Sequence, residues 1–168
     1  LYGGAGRTNG PDSIPNAIYF ETLVQLIVDL IEAPKKGIFH IDLRLRPYGK
    51  AGALASPLES ALMYYRANGE AAQFERQALI KLRHVAGDEQ LSRKIEDQRD
   101  RFTYGPEPWD MAAALHLRSR QVRELVRPGK INVKYSHGGI IDIEYAVQYL
   151  QILNGREHCE LRTPNTLE

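Results

Sequence analysis

Within residues 38 to 46, IFHIDLRLR, apolar and polar side chains alternate from Phe39 to Arg46, and no other stretch of the chain limits the fold so tightly. Successive side chains of a strand point to opposite faces. That period sends Phe39, Ile41, Leu43 and Leu45 one way and His40, Asp42, Arg44 and Arg46 the other. The spacing predicts a strand with one face for a core and one for chemistry, closed by a turn at Pro47, Gly49 and Gly52. A strand needs partners for its backbone N–H and C=O groups. Because the rest of the chain reads as helices, the partner strands are expected upstream of Leu1, and both ends of the chain read as cuts.

The helices follow from apolar spacing. From about Pro15, Phe20, Leu23, Val24, Ile27, Leu30 and Ile31 recur every three or four residues, which places one stripe along a helix that Pro34 to Gly37 ends. Ser56-Pro57-Leu58-Glu59 has capping-box spacing with proline in the first turn, and the helix it opens runs to Asn68-Gly69. Ala71, Phe74, Ala78, Leu82 and Val85 mark the next helix, ended by Gly87, and a shorter polar helix covers about 89 to 100. Met111, Ala114, Leu115, Val122 and Leu125 form the buried stripe of a long helix that Pro128-Gly129 terminates, while Arg118, Arg120, Arg123 and Arg127 read as its solvated face. Gly138-Gly139 opens a last helix, to about Leu153, that is apolar nearly all round and is expected to be buried. Residues 1 to 13, with four glycines, predict no element.

Composition narrows the function classes. Twenty-two Lys plus Arg against twenty-one Asp plus Glu leave a formal charge of +1, so no field favours nucleic acid or a membrane surface. The apolar stretches fall short of the ~20 residues that span a bilayer, and no signal-type segment starts the chain. Cys159 is the only cysteine, which excludes an internal disulfide or a cysteine zinc cluster and fits a cytoplasmic location.

The polar face of residues 38 to 46 is the sharpest chemical feature. On a strand, Asp42, Arg44 and Arg46 project in parallel about 7 Å apart. A carboxylate can bind a hard cation and guanidiniums recognise phosphate by forked hydrogen bonds, so the row suits nucleotide chemistry. The competing reading is a solvated face with a cross-strand ion pair. His40 shares the face and is the one histidine that stands as a candidate base, against a purely local hydrogen-bonding role. Lys134, Gly138 and Gly139 set a cation and open backbone at a helix start, where anions are attracted. Asp142 and Glu144 in the first turns of that helix would compensate its dipole themselves.

Three blocks, FHIDLRLRPYGKAGALA, YYRANGEAAQFERQALIKLRHVAGD and NVKYSHGGIIDIEYAVQYLQILNG, resemble the adenylyltransferases of glutamine synthetase over roughly residues 38 to 155. The resemblance implies an α+β fold: residues 1–55 as the C-terminal part of a DNA polymerase beta-type nucleotidyltransferase domain, with a strand at 38–46, and residues 56–168 as a mainly helical region. It implies ATP as substrate and Mg2+ as cofactor, with Asp42 as the third catalytic, metal-binding carboxylate. Arg44, Arg46, Lys81, Arg83 and Lys134 are the implied phosphate-binding cations, and surface ion pairing is the alternative for the second block. Glutamine synthetase is the implied partner, together with a PII-type signal-transduction protein, and no nucleic acid or membrane. The first two metal carboxylates, an Asp-x-Asp or Asp-x-Glu pair, do not precede Asp42, so the chain alone is expected to be inactive. A noncatalytic helical interaction module, or a nucleotidyltransferase using another nucleotide or acceptor, are the rival functions.

Overall fold

The computed structural model describes residues 1–32 and 40–166, and among them the chain is helical. Six α-helices follow in order: α1 (Asn16–Glu32), α2 (Leu58–Tyr64), α3 (Gln73–Leu79), α4 (Glu89–Thr103), α5 (Met111–Leu125) and α6 (Ile140–Asn154). Single turns of 3-10 helix occupy Gly49–Ala51 and Cys159–Leu161. The chain divides into two units, Leu1–Ala71 with His84–Gln98, and Ala72–Arg83 with Arg99–Glu168.

The α+β expectation is overturned. Ile38 and Phe39, and the expected helix stop at Pro34 to Gly37, lie outside the described residues. From His40 to Arg46 there is no strand, and the described residues contain no sheet, only the isolated bridges Tyr2 to Pro57 and Arg7 to Pro15. The physical reason lies in the backbone. With no neighbouring strand, residues 40 to 52 satisfy their main-chain groups from nearby atoms instead. Ile41 N–H donates to the Glu32 carboxylate at 3.1 Å, Arg44 N–H to Asp42 Oδ1 at 3.0 Å, and Gly49 N–H to the Arg46 carbonyl at 2.8 Å. The Arg46 guanidinium donates to the carbonyls of Leu43, Lys50 and Gly52. Alternation of side chains is compatible with a strand but cannot make one without a partner.

In the first unit the core gathers Tyr2, Leu58, Ala61, Tyr64, Tyr65 and Ile95. Tyr2, within the glycine-rich start that predicts no element, is held by its N–H on Ser56 O and by Leu58 N–H on its own carbonyl, and its ring stacks on Phe20 at 4.9 Å. Helix α1 forms where its spacing predicts, yet it buries none of its residues, and Ile18, Leu26, Leu30 and Ile31 remain exposed. Helix α2 stops at Tyr64, short of the expected Asn68-Gly69. A left-handed Asn68 (φ 57°) then turns the chain, and Gly69 packs so closely on the Tyr64 carbonyl that a Cβ would lie 2.4 Å from that oxygen.

The second unit is built on buried polar side chains as much as apolar ones. Leu79, Ile80, Tyr104, Ala114, Ile141 and Ile152 are buried together with Arg76, Gln77, Arg118, Gln148 and Gln151. Gln77 on α3 donates to Gln148 on α6 at 2.7 Å, and Gln151 donates to the carbonyls of Leu161 and Thr163. Arg76, 2% exposed, donates to the carbonyls of Thr103, Gly105 and Glu107, satisfying a turn that has no ladder of its own. Burial lowers its pKa, partly offset by Glu107. Helix α6 departs from the expectation of all-round burial: Ile140, Ile143, Leu150 and Leu153 are exposed while two glutamines are buried.

Candidate functional site

Residues 40 to 52 form a loop whose side chains fold back on the chain rather than standing in a row. Asp42 sits in the turn with its carboxylate forked by Arg44: Nε lies 2.8 and 2.9 Å from the two carboxylate oxygens, and Nη2 2.5 Å from Oδ2. These hydrogen bonds lower the pKa of the Asp42 carboxyl, the side-chain bond first and the Arg44 N–H second, and the solvent around this exposed pair weakens their hold. The pair is open to solvent, at 43% exposure for the Asp42 side chain and 68% for that of Arg44. His40 places Nδ1 3.1 Å from Glu32.

Arg46 points elsewhere, into the carbonyls of its own loop, so the structure unites Asp42 with Arg44 and separates Arg46 from both. The loop continues to Tyr48, which adopts a left-handed backbone (φ 62°) uncommon for an aromatic residue. Its ring meets Tyr64 at 4.8 Å and its hydroxyl donates to Glu70 at 2.7 Å, a bond that raises the phenol pKa. Tyr48, Glu59, Met63 and Glu70 help line an open cavity of about 490 Å3. Asp42 is not among its lining residues.

The remaining sequence-derived cations lie in the second unit. Lys81, just past α3, places Nζ 3.1 Å from Glu144 on α6 and 3.0 Å from the Thr166 hydroxyl. Arg83 is exposed two residues later. Lys134 lies in the loop before α6 with Nζ 5.3 Å from the Tyr135 ring centroid. The amino terminus of α6 is taken by its own Asp142, which accepts Gly138 N–H at 2.6 Å and Arg118 Nε at 2.6 Å.

Arg118 is the residue that sequence reasoning misplaced. It reads as one of four arginines on a solvated face, yet its side chain is 7% exposed and it donates to Asp142 and to the carbonyls of Tyr135 and Ser136. Hydrogen bonds to Arg118 and Gly138 pull the Asp142 pKa down against partial burial. The available signal was spacing: Ala114 and Arg118 are four apart on α5, and both are buried. An acidic residue at the start of the next helix supplied the partner.

Among the described residues no three His, Cys, Asp or Glu side chains group as metal ligands, and both oxygens of Asp42 are engaged by Arg44. A divalent-cation cage would need donors from outside the described residues. Among the described residues no helix is long and apolar enough to cross a membrane.

The Asp42 loop and the helices after it are those of a glutamine synthetase-modifying enzyme family. The model of the glutamate-ammonia ligase adenylyltransferase family matches residues 1–98, and the chain belongs to that family. It is 35% identical over 171 residues to a bifunctional glutamine synthetase adenylyltransferase/adenylyl-removing enzyme of Methylococcus capsulatus, covering 96% of this chain and 18% of that protein. Enzymes with the same name from Hahella chejuensis and Shewanella frigidimarina are 34% and 33% identical, over 96% and 94% of this chain and 17% of each relative. The chain thus spans 17 to 18% of the length of these curated relatives.

Proposed function

We propose that this chain serves a longer enzyme that transfers AMP from ATP to a tyrosine of glutamine synthetase, or removes it with phosphate. The observation that carries this reading is the family match across residues 1–98, which contain Asp42, Arg44, Arg46, Lys81 and Arg83. In AMP transfer the tyrosine hydroxyl loses its proton to solvent, its oxygen bonds to the α-phosphorus of ATP, the bond to the bridging oxygen breaks, and pyrophosphate leaves with the electron pair. In removal a phosphate oxygen bonds to the phosphorus of the attached AMP, giving ADP, and the tyrosine oxygen leaves with the electron pair and takes up a proton.

The Asp42–Arg44 pair suits such chemistry because it is exposed and easily exchanged. An exposed ion pair contributes only about 0 to 1 kcal/mol, so a nucleotide phosphate can displace the carboxylate from the Arg44 fork at little cost. Until that exchange Asp42 holds the Arg44 guanidinium in position for the phosphate. Arg46, held by backbone carbonyls, keeps the loop in shape.

The test uses the full-length enzyme, glutamine synthetase, and ATP labelled at its α-phosphate. Asp42→Asn should lower incorporation of label by about a hundredfold or more, with UTP giving no label in either protein. Undiminished labelling would remove Asp42 from the reaction and leave the helices as an interaction module. Label from UTP would point to another nucleotide.

A further inference from the structure

The open cavity of about 490 Å3 that Tyr48 lines belongs wholly to the first unit, and the AMP-transfer reading leaves it unused. Tyr48 is 53% exposed there, and Glu59, Arg66 and Glu70 are the charged residues of the lining. Tyr48 and Gly49 both have left-handed backbones, at φ 62° and 55°. At an aromatic residue that conformation persists only where its surroundings hold it, and it recurs at functional sites. Two contacts hold it here. The Tyr48 ring packs edge-on against the buried Tyr64 ring, and its hydroxyl donates to Glu70 Oε1 at 2.7 Å.

The second contact prepares the phenol for one kind of reaction. A hydroxyl that attacks phosphorus must lose its proton as its oxygen bonds, and a carboxylate already accepting its hydrogen bond is placed to take that proton. Glu70 has no ion pair among the described residues to compete for it. Tyr19, 44% exposed on α1, has no such carboxylate among the described residues. The product of attack on a nucleotide is a phosphodiester with one negative charge. Arg66 lines the same cavity, donates to the Met63 sulfur at 3.6 Å and pairs with no carboxylate among the described residues, so its charge is available to the diester. The volume falls in the range of cavities that take a small molecule. Tyr48 also shares its loop with Arg44: Gly49 folds back until a Cβ there would lie 3.7 Å from the Arg44 carbonyl oxygen.

We propose that Tyr48 is itself an acceptor of AMP, so that the enzyme modifies its own chain as well as its protein substrate. The Tyr48 oxygen bonds to the α-phosphorus of ATP, its proton passes to Glu70, the bond to the bridging oxygen breaks, and pyrophosphate leaves with the electron pair. Glu70 then releases the proton to solvent. The inference rests on the AMP-transfer reading and adds a second acceptor to it.

The test incubates the full-length enzyme with ATP labelled at its α-phosphate, alone and with glutamine synthetase, and maps the label by digestion and mass spectrometry. The enzyme alone should carry AMP on the peptide that contains Tyr48, and Tyr48→Phe should remove most of the label from the enzyme. Glu70→Gln keeps an acceptor for the hydroxyl but is no base. It should slow labelling of Tyr48 about tenfold or more, measured against labelling of glutamine synthetase by the same protein. Labelled glutamine synthetase with a bare Tyr48 overturns the proposal and leaves the AMP-transfer reading standing. Labelled Tyr48 with bare glutamine synthetase supports the proposal and overturns the acceptor in that reading, and no label on either protein overturns both. Undiminished labelling of the enzyme in Tyr48→Phe, or of Tyr48 in Glu70→Gln, also overturns the proposal.

Discussion

Two Arg–Asp pairs in this chain use the same groups for opposite ends. Arg44 and Asp42 are two residues apart in one turn, at 68% and 43% side-chain exposure. Arg118 and Asp142 are 24 residues apart, at 7% and 34% exposure, and their contact ties α5 to the first turn of α6. Solvent and entropy reduce the first pair to little, so its members can trade partners. The second has lost most of its water, so removing one member leaves a buried charge without compensation. The exposed pair is therefore the one whose loss costs the fold least.

That contrast can be broken in four ways. The largest effect is expected from Asp142→Ala, which strands Arg118: urea unfolding should show a loss of about 3 kcal/mol. Next, double-mutant cycles should give a coupling of about 2 kcal/mol for Arg118 with Asp142 and below about 0.5 kcal/mol for Arg44 with Asp42. Acid unfolding separates the pairs again. The folded pKa of Asp142 is depressed, so its stabilisation is complete above the unfolded value of about 3.9 and is lost as pH falls below it. Asp142→Asn should flatten the stability profile in that acid range. Asp42→Asn should leave it nearly unchanged, because solvent screens the exposed pair. The smallest effect is Asp42→Asn at neutral pH, within about 0.5 kcal/mol of the parent chain.

Helix positions were legible where the apolar spacing was regular. α1, α5 and α6 lie where the repeats of Leu, Ile and Ala predict them. Two things were hidden, for different reasons. Residues 40 to 46 alternate like a strand, but pairing is decided by a partner's hydrogen bonds, and the side-chain pattern carries no record of them. Arg118 was hidden because charge marks a residue as solvated by default, whereas an arginine with three acceptors can be buried on a helix face. The glutamines of α6 belong to the same class: Gln148 and Gln151 are buried because their amides find partners on α3 and in the segment after α6. At the candidate site, the sequence offered an exposed ion pair as one reading of Asp42 and its arginines, and the pair forms within one turn with Arg44, without the strand that would have set Asp42, Arg44 and Arg46 in a row.

The most direct test puts Asp42→Asn and Asp142→Asn side by side in the full-length enzyme, measuring both melting temperature and the labelling of glutamine synthetase from ATP. Asp42→Asn is predicted to lose labelling at an unchanged melting temperature, and Asp142→Asn to melt several degrees lower, by about 4 °C or more for a unit of this size, while labelling in the cold survives. Full labelling by Asp42→Asn, or an Asp142→Asn protein as stable as its parent, would contradict the division of labour between the two pairs.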